Sequence, residues 1–184
     1  MWKRLTLVLA VSMIFTFEGG NNAVIASDNP LMKREGPTPR TTGGIPHKQF
    51  TATLIPELRD ELLRRVAELP HVRVAPTEVS LPGATGFKLD DQLELAHGEL
   101  IVGGREFGHV HPDGSLHLSL SKLRAKDAIL AGWAVLHPWS QVRPNWDGFV
   151  LIYTPRSRAE ADVIFQLVVD SYNHITGRNL RPPR

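Results

Sequence analysis

A chain of 184 residues, 42% hydrophobic and 22% charged, supports one domain with a real core and has neither a disordered bias nor a fibrous period. A net charge of +2 with no dense basic run excludes nucleic acid as a partner, and zero cysteines exclude disulfides, thiolate nucleophiles, cysteine-bound zinc and iron–sulfur clusters. Of eight histidines, four fall between positions 109 and 137, and the functional information lies there.

Residues 1–26 read as a signal peptide or an N-terminal membrane anchor. Lys3 and Arg4 precede an apolar run over 5–15, and Val24-Ile25-Ala26 offers a cleavage site. The run is short for a bilayer core of about 30 Å, which favours a signal peptide over a spanning helix. The protein is therefore expected to be secreted or periplasmic, or tied to the membrane by this segment alone. Residues 27–52, rich in Pro, Gly, Thr and charge, read as a flexible linker; 53–177 form the domain, and 178–184 a basic tail.

Within the domain, Pro56, the acids that follow it and the stripe Leu58, Leu62, Val66, Leu69 predict a helix that Pro70 stops. Strands are expected at about 71–75, 77–81, 86–90, 93–96, 99–103, 105–111, 115–120, 133–137 and 148–154, with a short helix over 122–131. Ser157 with Glu160 predicts the start of a long last helix, and Gly177 its end. Strands outnumber helices and do not alternate with them. The fold class is α+β: a single domain, a largely antiparallel sheet, about three helices, and the C-terminal helix packed on the sheet.

Residues 105–120 carry the argument. Pro112-Asp113-Gly114 is a turn between two alternating runs, and a three-residue loop sets His111 opposite Ser115, Val110 opposite Leu116 and His109 opposite His117. Alternation places Val110, Leu116, Leu118 and Leu120 on an apolar face and Phe107, His109, His111, His117 and Ser119 on the other. Glu106 falls on the apolar side by the same rule, so a two-histidine-one-carboxylate metal triad is not expected. His137 ends an expected strand before Pro138 and would complete a four-histidine pocket walled by Phe107, Trp133 or Trp139.

Three readings of these rings stand. They decorate a solvated strand face; or His109, His111 and His117 bind a divalent transition metal; or they form a metal-free pocket in which neutral histidines act as bases and hydrogen-bond donors to an acidic ligand. The last is preferred, with no cofactor expected. His47, His71 and His174 read as surface or tail residues, and His97 as part of a turn.

Arg105-Glu106 with His109-x-His111, then Leu116-His117-Leu118-x-Leu120, Gly132-Trp133, His137-Pro138 and Tyr153-x-Pro155-Arg156 before Glu160-Ala161, resembles, as a bacterial homologue would, the luciferase domain of fungal luciferases. The resemblance is close over about 105–177. It implies an oxygenase-type oxidoreductase that binds a hydroxylated pyrone, adds O2 and opens the ring without an organic cofactor. Leu136 stands where the fungal proteins carry Arg, the turn after His111 is shorter and the loop 139–147 differs, so the substrate need not carry over. The expected function is chemistry on an enolic or phenolic small molecule, with His109, His111, His117 and His137 catalytic and Arg105, Phe107, Ser119, Trp133 and Trp139 binding. The alternatives are a non-catalytic small-molecule binding domain and a histidine-ligated metalloenzyme.

Overall fold

A computed structural model describes residues 30–181; the targeting segment read over 1–26 lies outside the described residues. Six strands, all paired antiparallel, form one sheet in the order β1-β2-β3-β4-β6-β5: β1 Val72–Pro76, β2 Thr85–Leu89, β3 Glu106–Val110, β4 Leu116–Ser119, β5 Ala134–Leu136 and β6 Phe149–Ile152. Among the described residues three helices accompany it: α1 Pro56–Ala67, α2 Lys122–Leu130 and α3 Arg158–Thr176. The class is α+β, with α3 packed on β3 and β4 and against α1.

The helix ends follow their local chemistry. Pro56 opens α1, and Arg64 and Arg65 close it at the negative end of its dipole. Ser157 caps α3 by accepting the Glu160 N–H, and Gly177 ends it at φ 71°. The Glu160 carboxylate bonds the Arg156 N–H at 2.9 Å, one residue before the position a capping box would use. Along α3, Ile164, Phe165, Val168, Tyr172 and Ile175 are buried at helical spacing and meet Leu62 and Val66 of α1. Arg65 joins the two helices, ion-paired to Asp162 at 2.7 Å and lying 4.0 Å from the centre of the Phe165 ring.

Three expected strands are not formed. Residues 77–81, 93–96 and 99–103 lie in the β1–β2 and β2–β3 connections, the last containing a 3-10 turn at Gly98–Leu100. Their apolar residues imitate strand alternation, but Leu93, Leu95 and Leu100 plug the edge of the core from turns. The segment read as a linker runs along the domain from residue 30. Arg34 N–H bonds the Ala131 carbonyl at 2.8 Å, Trp133 Nε1–H the Met32 carbonyl at 2.5 Å, and Thr154 N–H the Gln49 side chain at 3.0 Å. Among the described residues no helix is long and apolar enough to cross a membrane.

Candidate functional site

The β3–β4 hairpin has the expected register: His109 pairs with His117, Val110 with Leu116, and the His111 N–H bonds the Ser115 carbonyl at 2.8 Å. Gly114 takes the left-handed turn position at φ 86°. The other edge of β3 departs from simple alternation. Phe87 pairs with Gly108 but Lys88 pairs with Glu106, leaving Phe107 as the extra residue of a β-bulge. The bulge exchanges two side chains. Phe107 turns to the helix side, against Phe87 and Tyr172 at 5.8 and 5.9 Å between ring centres. Glu106 turns to the histidine face, with its side chain fully buried. Both expectations drawn from regular alternation, Phe107 as a pocket wall and Glu106 on the apolar side, are therefore corrected.

Gly86, directly opposite His109 on β2, makes the exchange feasible: a Cβ there would lie 2.3 Å from Glu106 Oε2. The Glu106 carboxylate accepts from Thr77 Oγ1–H at 2.8 Å and from the Glu78 N–H at 3.3 Å, and meets His109 Nδ1 at 2.9 Å. An acceptor at Nδ1 fixes the proton there and leaves His109 Nε2 as a lone pair. His117 Nδ1 lies 3.1 Å from that nitrogen and so donates to it, which leaves His117 Nε2 as a lone pair, fully buried and without a partner. A second relay ends at His111. Ser115 Oγ–H donates to Asp113 at 2.7 Å, so Ser115 Oγ accepts from His111 Nδ1–H at 3.0 Å and His111 Nε2 is free.

Two more rings close the cluster. His137, at the end of β5, packs against His117 at 4.7 Å between ring centres, and its Nδ1 accepts the Trp139 N–H at 3.1 Å. His47, expected at the surface, stacks on His117 at 5.4 Å and meets His137 edge-on at 5.0 Å; its buried Nδ1 also lacks a partner. It is brought there by the loop 41–49, closed by the Thr41–Gln49 bridge and by Thr42, whose Oγ1 accepts the Lys48 N–H at 2.9 Å. Trp139 and Phe149 wall the His137 side at 5.1 and 4.5 Å.

All five rings are at most 5% exposed, so solvated decoration does not describe them. Burial, reinforced by the neighbouring His109, holds His111 down to about 4. Burial with the neighbouring His47 holds His137 down to about 3. His117 is pushed well below the ordinary histidine range, first by burial and then by His109. Burial lowers His47 as well. These four rings are neutral at pH 7, each offering one lone pair and one N–H.

The remaining expected residues are dispersed. Arg105, with φ 53°, directs its guanidinium to the Leu93 carbonyl at 2.5 Å. Ser119 Oγ–H bonds the Leu100 carbonyl at 3.3 Å, and Trp133 is buried with its N–H on Met32. Only Trp139 of the expected binding residues makes ring contact with a cluster histidine. Two surface clefts, one along 74–85 and one around His97, Lys122 and His174, include none of the five rings; the cluster is closed. Reasoning from the sequence missed Glu106, His47 and Phe149. The signal for Glu106 was Gly86, whose meaning depends on which strand faces it.

Residues 104–171 match the family model of the Luciferase domain. No curated protein and no solved structure matches the chain.

Proposed function

We propose, from the match of residues 104–171 to the family model of the Luciferase domain, that the chain is an oxygenase-type enzyme acting on an enolic or phenolic small molecule in the histidine cluster. The observation that carries this reading is the pair of carboxylate-backed relays, Glu106–His109–His117 and Asp113–Ser115–His111. They leave unprotonated nitrogens on neutral rings in a water-poor site walled by Trp139 and Phe149. A ligand hydroxyl loses its proton to one of those nitrogens, His111 or His117, and the carboxylate behind it steadies the ring that becomes charged. His137, whose Nδ1 is occupied by the Trp139 N–H, carries its proton on Nε2 and donates it to the ligand oxygen. The enolate so formed is electron-rich enough to reduce O2 directly, which is why the family resemblance implies no organic cofactor.

Access needs the 41–49 loop to lift, since His47 rests on His117. The reading is tested by titrating a hydroxylated 2-pyrone with the protein at a pH about two units below the free compound's pKa. The wild type is expected to bind the anion, seen as the absorbance of the ionised form, and His111→Ala to lose that signal. Binding of the neutral form alone would remove the base and leave a non-catalytic small-molecule binding domain.

A further inference from the structure

The same cluster has the ligand set and the outer hydrogen bonds of a metal centre. We propose that His109, His111 and His117 hold one divalent transition-metal ion, through Nε2 of the first two and Nδ1 of the third. It rests on the functional reading only in taking the cluster as the reaction site; with the ion bound, His111 and His117 are ligands in place of bases.

Each of the three rings offers one ligand nitrogen, and those nitrogens lie within 4.8 Å of one another. His109 Nε2 and His117 Nδ1 stand 3.1 Å apart. Two imidazoles bound tetrahedrally at about 2.0–2.1 Å stand roughly 3.3 Å apart, so that pair needs to part by only a few tenths of an ångström. Metal-bound histidines nearly always donate their second N–H to a carboxylate, a carbonyl or another fixed acceptor. Here His109 Nδ1 meets Glu106 at 2.9 Å, and His111 Nδ1 meets Ser115, itself fixed by Asp113.

The third ring supplies the independent observation. With no ion, the His117 proton sits on Nδ1, and its Nε2 lone pair is buried with no partner, as is Nδ1 of the neighbouring His47. Two unsatisfied ring nitrogens in so dry a place call for an explanation. An ion on His117 Nδ1 takes the place of its hydrogen bond to His109 and moves the ring proton to Nε2. Two of the three rings thus already hold the outer partners that metal-bound histidines need.

A second triad, His47, His117 and His137, also brings three ring nitrogens within 4.8 Å. It is disfavoured because the Trp139 N–H occupies His137 Nδ1 and thereby places the proton on Nε2, where a ligand lone pair would be needed.

The test is a Co2+ titration of the full chain, followed by its visible ligand-field bands, with elemental analysis of Zn2+ loading and circular dichroism of every variant. One equivalent of Co2+ on the wild type, lost in His111→Ala, kept in His137→Ala and weakened about 10–100-fold in Glu106→Gln, is the expected result. Loading that survives His111→Ala but is lost in His137→Ala or His47→Ala would move the ion to the other triad and overturn the assignment. A wild type that takes up no Co2+ or Zn2+ overturns it without need of any variant. The titration contains no substrate, so metal loading without oxygen uptake would count against the enzyme reading alone. Oxygen uptake by protein that binds no metal would do the reverse.

Discussion

Glu106 reaches the histidines only because position 86 carries no side chain. Gly86→Ala would set a methyl group against the carboxylate and push it off His109, leaving buried donors on Thr77 and His109 unmatched. A loss of about 1–3 kcal/mol is expected by chemical denaturation, with Glu106→Gln milder because it still accepts from His109. The depressed histidines give a second prediction, for protein kept in chelator. Their folded pKa values lie below the unfolded value, so the unfolded chain binds more protons between about pH 4 and pH 6.5 for His111, and down to about 3 for His137. Stability is therefore complete above about pH 6.5 and falls on acidification, by about 1.4 kcal/mol per pH unit for each ring in its window. Equilibrium denaturation at pH 7 and pH 4.5 checks the sign; a protein equally stable at both would contradict it. At this scale the hairpin was legible, because Pro112-Asp113-Gly114 and the alternating leucines admit one register. Glu106 and Phe107 were not, since a bulge is a property of pairing with β2, and alternation along β3 cannot reveal it.

Elements were legible where a local cap or a long period fixes them. The α3 helix combines Ser157 at its start, an apolar stripe over five turns and Gly177 at its end, and sequence and structure agree there to a residue. Ser157→Ala should cost about 1 kcal/mol by thermal denaturation, because it removes the acceptor for the Glu160 N–H. A loss near zero would show that Arg156 and Glu160 hold the helix start without it. The three expected strands at 77–81, 93–96 and 99–103 failed for the opposite reason. Each is a short apolar run beside Pro or Gly, and such a run fits a turn that tucks a leucine inward as well as it fits a strand. Only the sheet, already complete with its six strands, decides between them.

The whole molecule joins a sheet covered by α1 and α3 on one face to a histidine cluster on the other, sealed by a chain segment from outside the sheet. Composition alone made that segment look like a tether, because its attachments at Arg34, Met32 and Gln49 use backbone groups or one side-chain amide and leave no apolar period to read. Its placement makes a prediction for chemical labelling. Diethylpyrocarbonate should modify the half-exposed His71 and His97 first and the five cluster rings slowly, as read by mass spectrometry. Gln49→Ala, which frees the loop from Thr154, should speed cluster labelling several-fold; an unchanged rate would show that the loop does not gate the rings.

In the proposed function the buried histidines carry out chemistry on an enolic ligand. It is tested most directly by oxygen consumption by the full chain in the presence of a hydroxylated 2-pyrone, wild type beside His117→Ala. Catalytic uptake that falls by about 10²–10⁴-fold in a variant with unchanged circular dichroism is the predicted result. Uptake that survives loss of the ring at the centre of the cluster would show that the chemistry lies elsewhere.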